Sequence, residues 1–282
     1  MLASSSSWAF CRTTTCGVQN PPSYCVRDPI SRCWLIGAPL FWEQGCVSFA
    51  VQWNGSPKLG LSFLEAEQIA LEAFAHWPSA ACTSDLFDFV NYPTISISSA
   101  GPTWCTHKEF NPSGPNSNAI VFVDDGWSGD PSALALTTVS FNAKTGRMFG
   151  ADLEVNTALH SFNRVQLTYV LTHEAGHFLG IDHSDVPEAV MEANYSLTSD
   201  APPVALQPDD IQAICTAYPP SRTTPVCNPE PENGFAAECG GDVEAGCSLT
   251  QRAPRGSSLA WAIAAFGLAL GRRFRARARK RA

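Results

Sequence analysis

Three histidines and one glutamate lie close together in this chain, at spacings that suit a catalytic metal ion. Three of the six histidines fall within eleven residues. His173 and His177 are four residues apart, so on an α-helix both imidazoles face one ion, with Glu174 beside them. Gly180 can end that helix in a left-handed turn, which returns His183 to the same ion. The pattern predicts a zinc site with three protein ligands and one position left for water. Surface histidines on an ordinary amphipathic helix are the alternative.

The predicted chemistry follows from the open zinc position. Zn²⁺ can lower the pKa of bound water from about 15.7 to about 7, and it can polarise a peptide carbonyl. Glu174 would act as the general base, taking the proton of the water and passing it to the departing amine. We therefore expect the Glu174→Ala variant to bind zinc and to lose hydrolysis.

The extended motif, with Met191 after it, resembles the metzincin peptidases, in which a methionine turn lies under the metal site. Ser184 directly follows the third histidine, and this resembles the matrixins, the group of the matrix metalloproteinases. Residues 206–218 resemble the last matrixin helix, with Pro and Asp at its start. The resemblance covers about residues 40–219. It implies an α+β metzincin fold: a twisted mixed β-sheet with an active-site helix and a C-terminal helix.

The resemblance also suggests how a substrate would bind. The stretch Met191–Tyr195 resembles the matrixin turn and the wall of the S1′ pocket, although Glu192 and Ala193 stand where matrix metalloproteinases commonly have Tyr and Pro. Tyr195 has a second interpretation as a fifth zinc ligand, as in astacins. That tyrosine follows the methionine by two residues, whereas here the separation is four, so a wall residue is favoured.

In the family, the strand that corresponds to about residues 135–141 forms the sheet edge above the cleft. A peptide substrate extends the sheet by main-chain pairing with this edge. Ala135 and Leu136 would then contact the substrate. Backbone pairing would supply much of the affinity, and the S1′ pocket would supply specificity.

The secondary-structure pattern is compatible with this fold. Apolar residues at a period near 3.6 predict a helix over Leu61–Trp77, with Ser62 and Glu65 as a capping box. Alternating and apolar runs predict strands at Thr94–Ser98 and Ala119–Asp124. A hairpin pattern extends over residues 134–156, around a turn at residues 142–146.

The cysteine content indicates an oxidising compartment. Eleven cysteines are present and none shows the spacing of a zinc ribbon. We expect disulfides, but eight cysteines up to Cys215 allow too many pairings for an assignment. Arg32-Cys33 faintly resembles the matrixin prodomain cysteine, whose thiolate covers the zinc. The residues after Cys33 do not match that motif, and a structural disulfide is favoured.

Composition divides the chain into four parts. Residues 1–39 are a Cys-rich segment, either a propeptide or a permanent extension, and residues 40–219 are expected to be the catalytic domain that the resemblance implies. Residues 220–237 have the composition of a flexible linker. Residues 238–282 form a tail with a cysteine motif, an apolar run and seven basic residues among the last eleven. This tail resembles the C-terminal sorting signals of myxobacterial surface proteins, which suggests a bacterial protein; a basic amphipathic helix is the alternative.

Charge and the two termini bear on location and partners. Without the seven basic residues of the tail, 11 Lys and Arg remain against 26 Asp and Glu, a balance of −15. Such an acidic protein disfavours nucleic acid and anionic lipid as partners, and membrane contact is expected only through the tail. We expect a monomer that is secreted or anchored at the cell surface and acts on proteins or peptides. No signal peptide is visible in the first residues, so a start upstream of Met1 is favoured.

Additional metal sites are weakly indicated. Hard cations such as Ca²⁺ could bind the carboxylates near the turn at residues 124–130 or those of Asp152 and Glu154, although solvated carboxylates are favoured because no EF-hand series is present. A second zinc is not expected, since the other three histidines are scattered. Two further functions stay open: a catalytically silent zinc-containing surface protein that binds a partner in the cleft, and a hydrolase of another substrate class.

Overall fold

A computed structural model describes residues 10–17, 21–84, 87–193 and 202–239. The predicted sorting tail beyond residue 239 lies outside these ranges. In the described part of the chain, no helix has both the length and the apolar character needed to cross a bilayer.

Seven strands and three α-helices form the body of the protein within the described ranges. The strands are β1 (Cys46–Gln52), β2 (Cys82–Ser84), β3 (Phe87–Asn91), β4 (Ser96–Thr103), β5 (Ala119–Phe122), β6 (Ala135–Phe141) and β7 (Met148–Val155). The helices are α1 (Phe63–Ala75), α2 (Arg164–Phe178) and α3 (Pro208–Ala217). Five strands pair in the order β4-β1-β5-β7-β6, and β2 pairs with β3 in a separate ribbon. The main sheet is parallel except for β6, which pairs antiparallel with β7 at one edge. This α+β arrangement is consistent with the expected metzincin fold.

Helix α1 begins at the predicted capping box. The Ser62 N–H donates to Glu65 Oε2 over 3.0 Å, and the Ser62 hydroxyl oxygen accepts from the Glu65 N–H over 3.4 Å, so two N–H groups at the helix start are satisfied. The apolar face of the helix is buried against the sheet, with Phe74 in contact with Phe49 of β1 at 4.6 Å between ring centroids. The 3.6-residue period therefore identified the helix and the face that packs in the core.

Helix α2 passes through the centre of the protein. Its start is fixed by a second capping box between Asn163 and Gln166. Ten of its fifteen residues are buried, because β6 and β7 contact one side and α1 contacts another. A helix that is buried on most sides shows little amphipathic pattern. The metal motif therefore indicates this helix more clearly than hydrophobic periodicity does.

Five disulfides crosslink the described residues, which confirms the expectation from the cysteine content. They join Cys11 to Cys33, Cys16 to Cys25, Cys46 to Cys227, Cys82 to Cys215 and Cys105 to Cys239. The first two lie within one compact N-terminal segment, formed by residues 10–17 and 21–40. Cys33 is bonded to Cys11, so the expected structural disulfide is confirmed. Because a disulfide sulfur is not a thiolate, Cys33 cannot bind the metal as the prodomain cysteine of matrixins does.

The stretch expected to be a flexible linker follows the surface of the body instead. The disulfide from Cys227 attaches it to β1, and the disulfide from Cys239, a residue predicted to lie in the tail, attaches it near the end of β4. Backbone bonds add to this, as between the Ser48 N–H and the Pro229 carbonyl over 3.1 Å. The composition of residues 220–237 did not predict this attachment, because disulfides and backbone hydrogen bonds hold the stretch and these contacts need few apolar side chains.

Candidate metal centre and active site

Helix α2 carries the first two histidines, and a tight turn after it positions the third. Gly180 has a φ of +81°, and the helix end shows both bonds of a Schellman motif: the Gly180 N–H donates to the His177 carbonyl and the Ile181 N–H to the Gly176 carbonyl, each over 2.9 Å. A Cβ atom on Gly180 would lie 2.5 Å from the Leu40 carbonyl oxygen. The predicted left-handed turn is present, and only glycine fits it.

The structure brings the three imidazoles together. The Nε2 atoms of His177 and His183 lie 3.2 Å apart. Each of the three rings offers a nitrogen, and these nitrogens all lie within 4.8 Å of one another. His173 is almost fully buried at the bottom of the group, whereas His183 lies nearer to solvent. Three nitrogen donors converging in this way can hold one Zn²⁺ ion.

The other ring nitrogens determine which tautomer is present. His173 Nδ1 lies 2.6 Å from the Val190 carbonyl oxygen, and His177 Nδ1 lies 2.9 Å from the Ile181 carbonyl oxygen. A carbonyl only accepts, so each Nδ1 carries the proton and each Nε2 keeps its lone pair directed to the other rings. Burial lowers the pKa of His173 and of His177, and burial together with the neighbouring His177 lowers the pKa of His183 to about 4. Three neutral imidazoles with this orientation fit a divalent zinc ion.

Glu174 lies beside the histidines and contacts the edge strand. The Thr137 hydroxyl donates to Glu174 Oε2 over 2.6 Å and also lies 3.2 Å from the Glu174 carbonyl oxygen. Burial raises the pKa of Glu174 to about 7, although the bond from Thr137 opposes the rise. A carboxylate with a pKa near neutrality can both accept and return a proton. Thr137 was not predicted, because its contact depends on how β6 packs against α2.

Met191 lies under the metal site. It is 1% exposed, and a Cβ atom on Gly176 of the metal helix would lie 2.3 Å from Met191 Sδ. Glycine at this position therefore lets the methionine approach the helix backbone between the two helical histidines. Met191 therefore packs against the helix that carries His173 and His177.

Two aspartates at the start of α3 hold the loops around the site. The Asp210 carboxylate accepts from the N–H groups of Val190 and Met191 over 2.8 and 3.1 Å. The Asp209 carboxylate accepts from the Ser184 hydroxyl over 2.7 Å. Burial raises the pKa of Asp210. Neither role was predicted, since sequence showed these residues only as part of a helix start.

A cleft of about 630 Å³ extends from the histidines along the edge strand β6. Ala135 and Leu136, for which substrate contact is predicted, line it, and Leu136 is exposed. Ala193 lines it near the methionine turn, whereas Tyr195 lies outside the described residues. Thr13 and Gly17 of the N-terminal segment also line the cleft, and sequence reasoning did not identify them.

Two of the carboxylates considered for Ca²⁺, those of Asp124 and Asp152, are engaged by protein donors. Asp124 accepts from the hydroxyls of Ser56 and Thr157, each over 2.6 Å. Asp152 accepts from the N–H groups of Ala119 and Glu109 over 2.7 and 3.1 Å. These contacts account for both carboxylates, and they give no support to a calcium site there.

A second group of potential ligands lies among the described residues, formed by His107, Glu109 and Cys239. The sulfur of Cys239 is already bonded to Cys105. This group therefore lacks a thiolate and does not resemble a zinc site.

Comparison with known proteins agrees with this geometry. The matrixin family model matches residues 98–219. The chain is 48% identical over 54 residues to matrix metalloproteinase-9 of Canis lupus familiaris, which covers 19% of this chain and 7% of the relative. It is 36% identical over 80 residues to macrophage metalloelastase of Oryctolagus cuniculus, which covers 28% of this chain and 17% of the relative. The chain thus spans less than a fifth of the length of either relative. Residues 98–219 are thus similar to the matrixin family, and this matched region contains the three converging histidines.

Proposed function

We propose that this protein is a zinc-dependent endopeptidase that hydrolyses peptide bonds of extracellular proteins. One observation carries the proposal: three imidazole nitrogens converge on one point at the bottom of a cleft, with the Glu174 carboxylate beside them. The matrixin match over residues 98–219 supports the same reaction class. A silent binding protein would have no use for a general base in this position.

His173, His177 and His183 would hold the metal ion. A bound zinc ion would supply Lewis acidity toward a peptide carbonyl and would make a water molecule more acidic. Glu174 would accept the proton of the attacking water at its carboxylate and later donate it to the leaving amine. Thr137 would keep the carboxylate directed into the cleft through its 2.6 Å hydrogen bond.

The substrate would lie along the edge strand. Among the strands of the described residues, β6 is the last in the main sheet and pairs on one side only, so the backbone groups of its outer edge can pair with an extended peptide, as in other cases of β-strand addition. Ala135 and Leu136 would contact the substrate there. Ala193 would begin the wall of the S1′ pocket, and Tyr195 would continue it.

Extracellular action is supported by the disulfides. Of the five in the described residues, three connect parts of the chain more than 130 residues apart, and such crosslinks form and persist in oxidising compartments. We propose that residues 40–219 form the catalytic domain and that residues 238–282 serve in sorting or anchoring at the cell surface.

Zinc content and peptide cleavage, measured together, test the proposed function. The chain is produced with its disulfides, and the parent is compared with Glu174→Gln, which keeps the size of the side chain and removes its basic carboxylate. We expect about one zinc per chain in both proteins and cleavage of a mixed peptide library by the parent alone, since the three histidines are unchanged. Zinc in both proteins with no cleavage by either would favour a binding protein. Equal cleavage by both would refute the role of Glu174.

A further inference from the structure

The N-terminal segment forms backbone hydrogen bonds with the loop that connects the second and third histidines. The Thr13 N–H donates to the Gly180 carbonyl over 3.0 Å, and the Asp182 N–H donates to the Cys11 carbonyl over 3.0 Å. These two bonds have the pattern of a short antiparallel strand pair. The segment therefore adds a strand to the very loop that positions His183.

Arg12 strengthens this attachment from within. Its guanidinium donates through Nε to the Gly180 carbonyl over 3.1 Å and through Nη2 to the Leu40 carbonyl over 2.5 Å. The Leu40 N–H in turn donates to the Thr13 carbonyl over 2.8 Å. The disulfide between Cys11 and Cys33 then closes the segment on itself. With these contacts the segment is an integral part of the folded protein.

Two residues of the segment reach the cleft. Thr13 and Gly17 line it together with His177 and Asp182. Gly17 has no side chain and packs closely behind the cleft surface, since an added Cβ atom would lie 3.2 Å from the Thr14 carbonyl oxygen and 3.4 Å from the Thr13 methyl group. Because both lining residues are small, the part of the cleft that they border can take a side chain of the substrate.

The opposite boundary of the cleft indicates which part of a substrate would occupy this space. Ala193 begins the stretch assigned to the S1′ wall, which would take the residue directly after the scissile bond. The N-terminal segment leads to the carboxyl end of β6, because Phe41, which follows the segment, donates its N–H to the Gly146 carbonyl in the turn after that strand over 3.0 Å. With the S1′ wall assigned to the stretch from Ala193, we assign the space at Thr13 and Gly17 to residues before the scissile bond.

We propose that Thr13 and Gly17 form the wall of a substrate subsite and select the side chains accepted on the amino-terminal side of the scissile bond. This inference rests on the proposed peptidase function. It makes the segment a lasting part of the active site, in contrast to a propeptide that must leave before substrate can enter.

The test adds bulk at the wall. Thr13→Trp fills the space from one side, and Gly17→Leu fills it from the other, so a folding defect in one variant leaves the second informative. Ile30→Trp is the matched control, since Ile30 lies in the same segment and is 87% exposed. All proteins are compared as full chains on a peptide library varied on both sides of the scissile bond, with zinc content measured in parallel.

We expect both wall variants to lose about tenfold in kcat/KM for peptides with large side chains before the scissile bond, a typical effect of pocket size. Preferences after the bond, zinc content and the Ile30→Trp profile should match the parent. Unchanged profiles in Thr13→Trp and Gly17→Leu would overturn the inference. A uniform rise in turnover for all peptides would also overturn it, because the segment would then be an inhibitory cover.

A binding measurement separates this inference from the proposed function. The wall variants are repeated in the Glu174→Gln background, and binding of the same fluorescent peptides is measured without turnover. If the parent cleaves nothing, but Thr13→Trp still selectively weakens binding of peptides with large side chains, the wall stands and the peptidase function fails. If Thr13→Trp leaves peptide binding unchanged in the Glu174→Gln background, the wall is refuted whatever the activity.

Discussion

Gly180 lies where the helix end, the N-terminal segment and the third histidine meet, and its replacement by alanine has effects that can be worked out from the structure. A left-handed conformation costs a side-chain-bearing residue about 1–2 kcal/mol. The added Cβ would also lie 2.5 Å from the Leu40 carbonyl oxygen, and such overpacking typically costs about 1–3 kcal/mol more. We therefore expect Gly180→Ala to lower the free energy of unfolding by about 2–5 kcal/mol.

A matched control isolates the steric part of this loss. Gly126 has a φ of +70°, and no atom lies within 4 Å of a Cβ atom built on it. Gly126→Ala should thus lose only the conformational part, about 1–2 kcal/mol. Urea unfolding of the two variants and the parent, with a chelator present to remove zinc, gives the difference directly. Equal losses of unfolding free energy in Gly126→Ala and Gly180→Ala would show that the overlap with Leu40 does not destabilise the protein.

The same variant should weaken zinc binding. Relief of the overlap with Leu40 must move the loop that carries His183, and displaced supporting contacts commonly cost 10- to 100-fold in metal affinity. Competition with a chromogenic chelator measures this for Gly180→Ala and Gly126→Ala, and we expect a loss only for the former. Parent-like zinc affinity in Gly180→Ala would refute the idea that this turn positions the third histidine.

Three further outcomes are expected. Thr137→Val should lower kcat by about tenfold with zinc content unchanged, because it removes the hydrogen bond to the Glu174 carboxylate. Thr137→Ser keeps the hydroxyl and should retain activity. Loss of zinc in Thr137→Val would contradict a role for Thr137 that acts only through Glu174. Burial raises the pKa of Asp152 to about 6 from an ordinary value of 3.8. The contribution of protonated Asp152 to the free energy of unfolding is therefore fully present below about pH 4 and is lost as the pH rises through about 6. The Asp152→Asn variant should lack this loss, on the order of 2–3 kcal/mol, in chelator-treated urea unfolding at pH 4 and pH 7, and parallel pH dependence in both proteins would disprove it. Replacing Cys46 and Cys227 by alanine should lower the free energy of unfolding by about 5 kcal/mol, against about 3 kcal/mol for Cys16 and Cys25. The reason is that the first pair is separated by 181 residues and the second by 9. Thermal unfolding measures both double variants, and similar shifts would argue against an origin in the entropy of the unfolded chain.

Sequence patterns predicted the elements that repeat over several turns or strand residues. The helix expected over Leu61–Trp77 is present as Phe63–Ala75, and the hairpin expected over residues 134–156 is present as β6 and β7. Strand β1 was missed although it lies inside the sheet. All seven of its residues are buried, so it lacks the alternation of apolar and polar residues that marks a half-exposed strand.

The candidate site shows the same division between local and distant contacts. His173, His177 and Glu174 occupy neighbouring positions of one helix, so their spacing alone predicted that they face the same point. Thr137 and Asp210 reach the site from β6 and α3, and these contacts depend on how the elements pack. A single sequence contains no pattern that reports such packing.

His183 has an intermediate status, because its position depends on both local and distant parts of the chain. The Schellman motif after α2 is encoded by Gly180 and was predictable. The loop is also held from two other directions, by the strand-like pairing with the N-terminal segment and by the bond from the Ser184 hydroxyl to Asp209 over 2.7 Å. The two helical histidines need only α2 to be formed, whereas the third needs the N-terminal segment and α3 to be docked. Metal binding should therefore report on the folding of the whole body, because the complete set of three nitrogens exists only when these distant parts are in place.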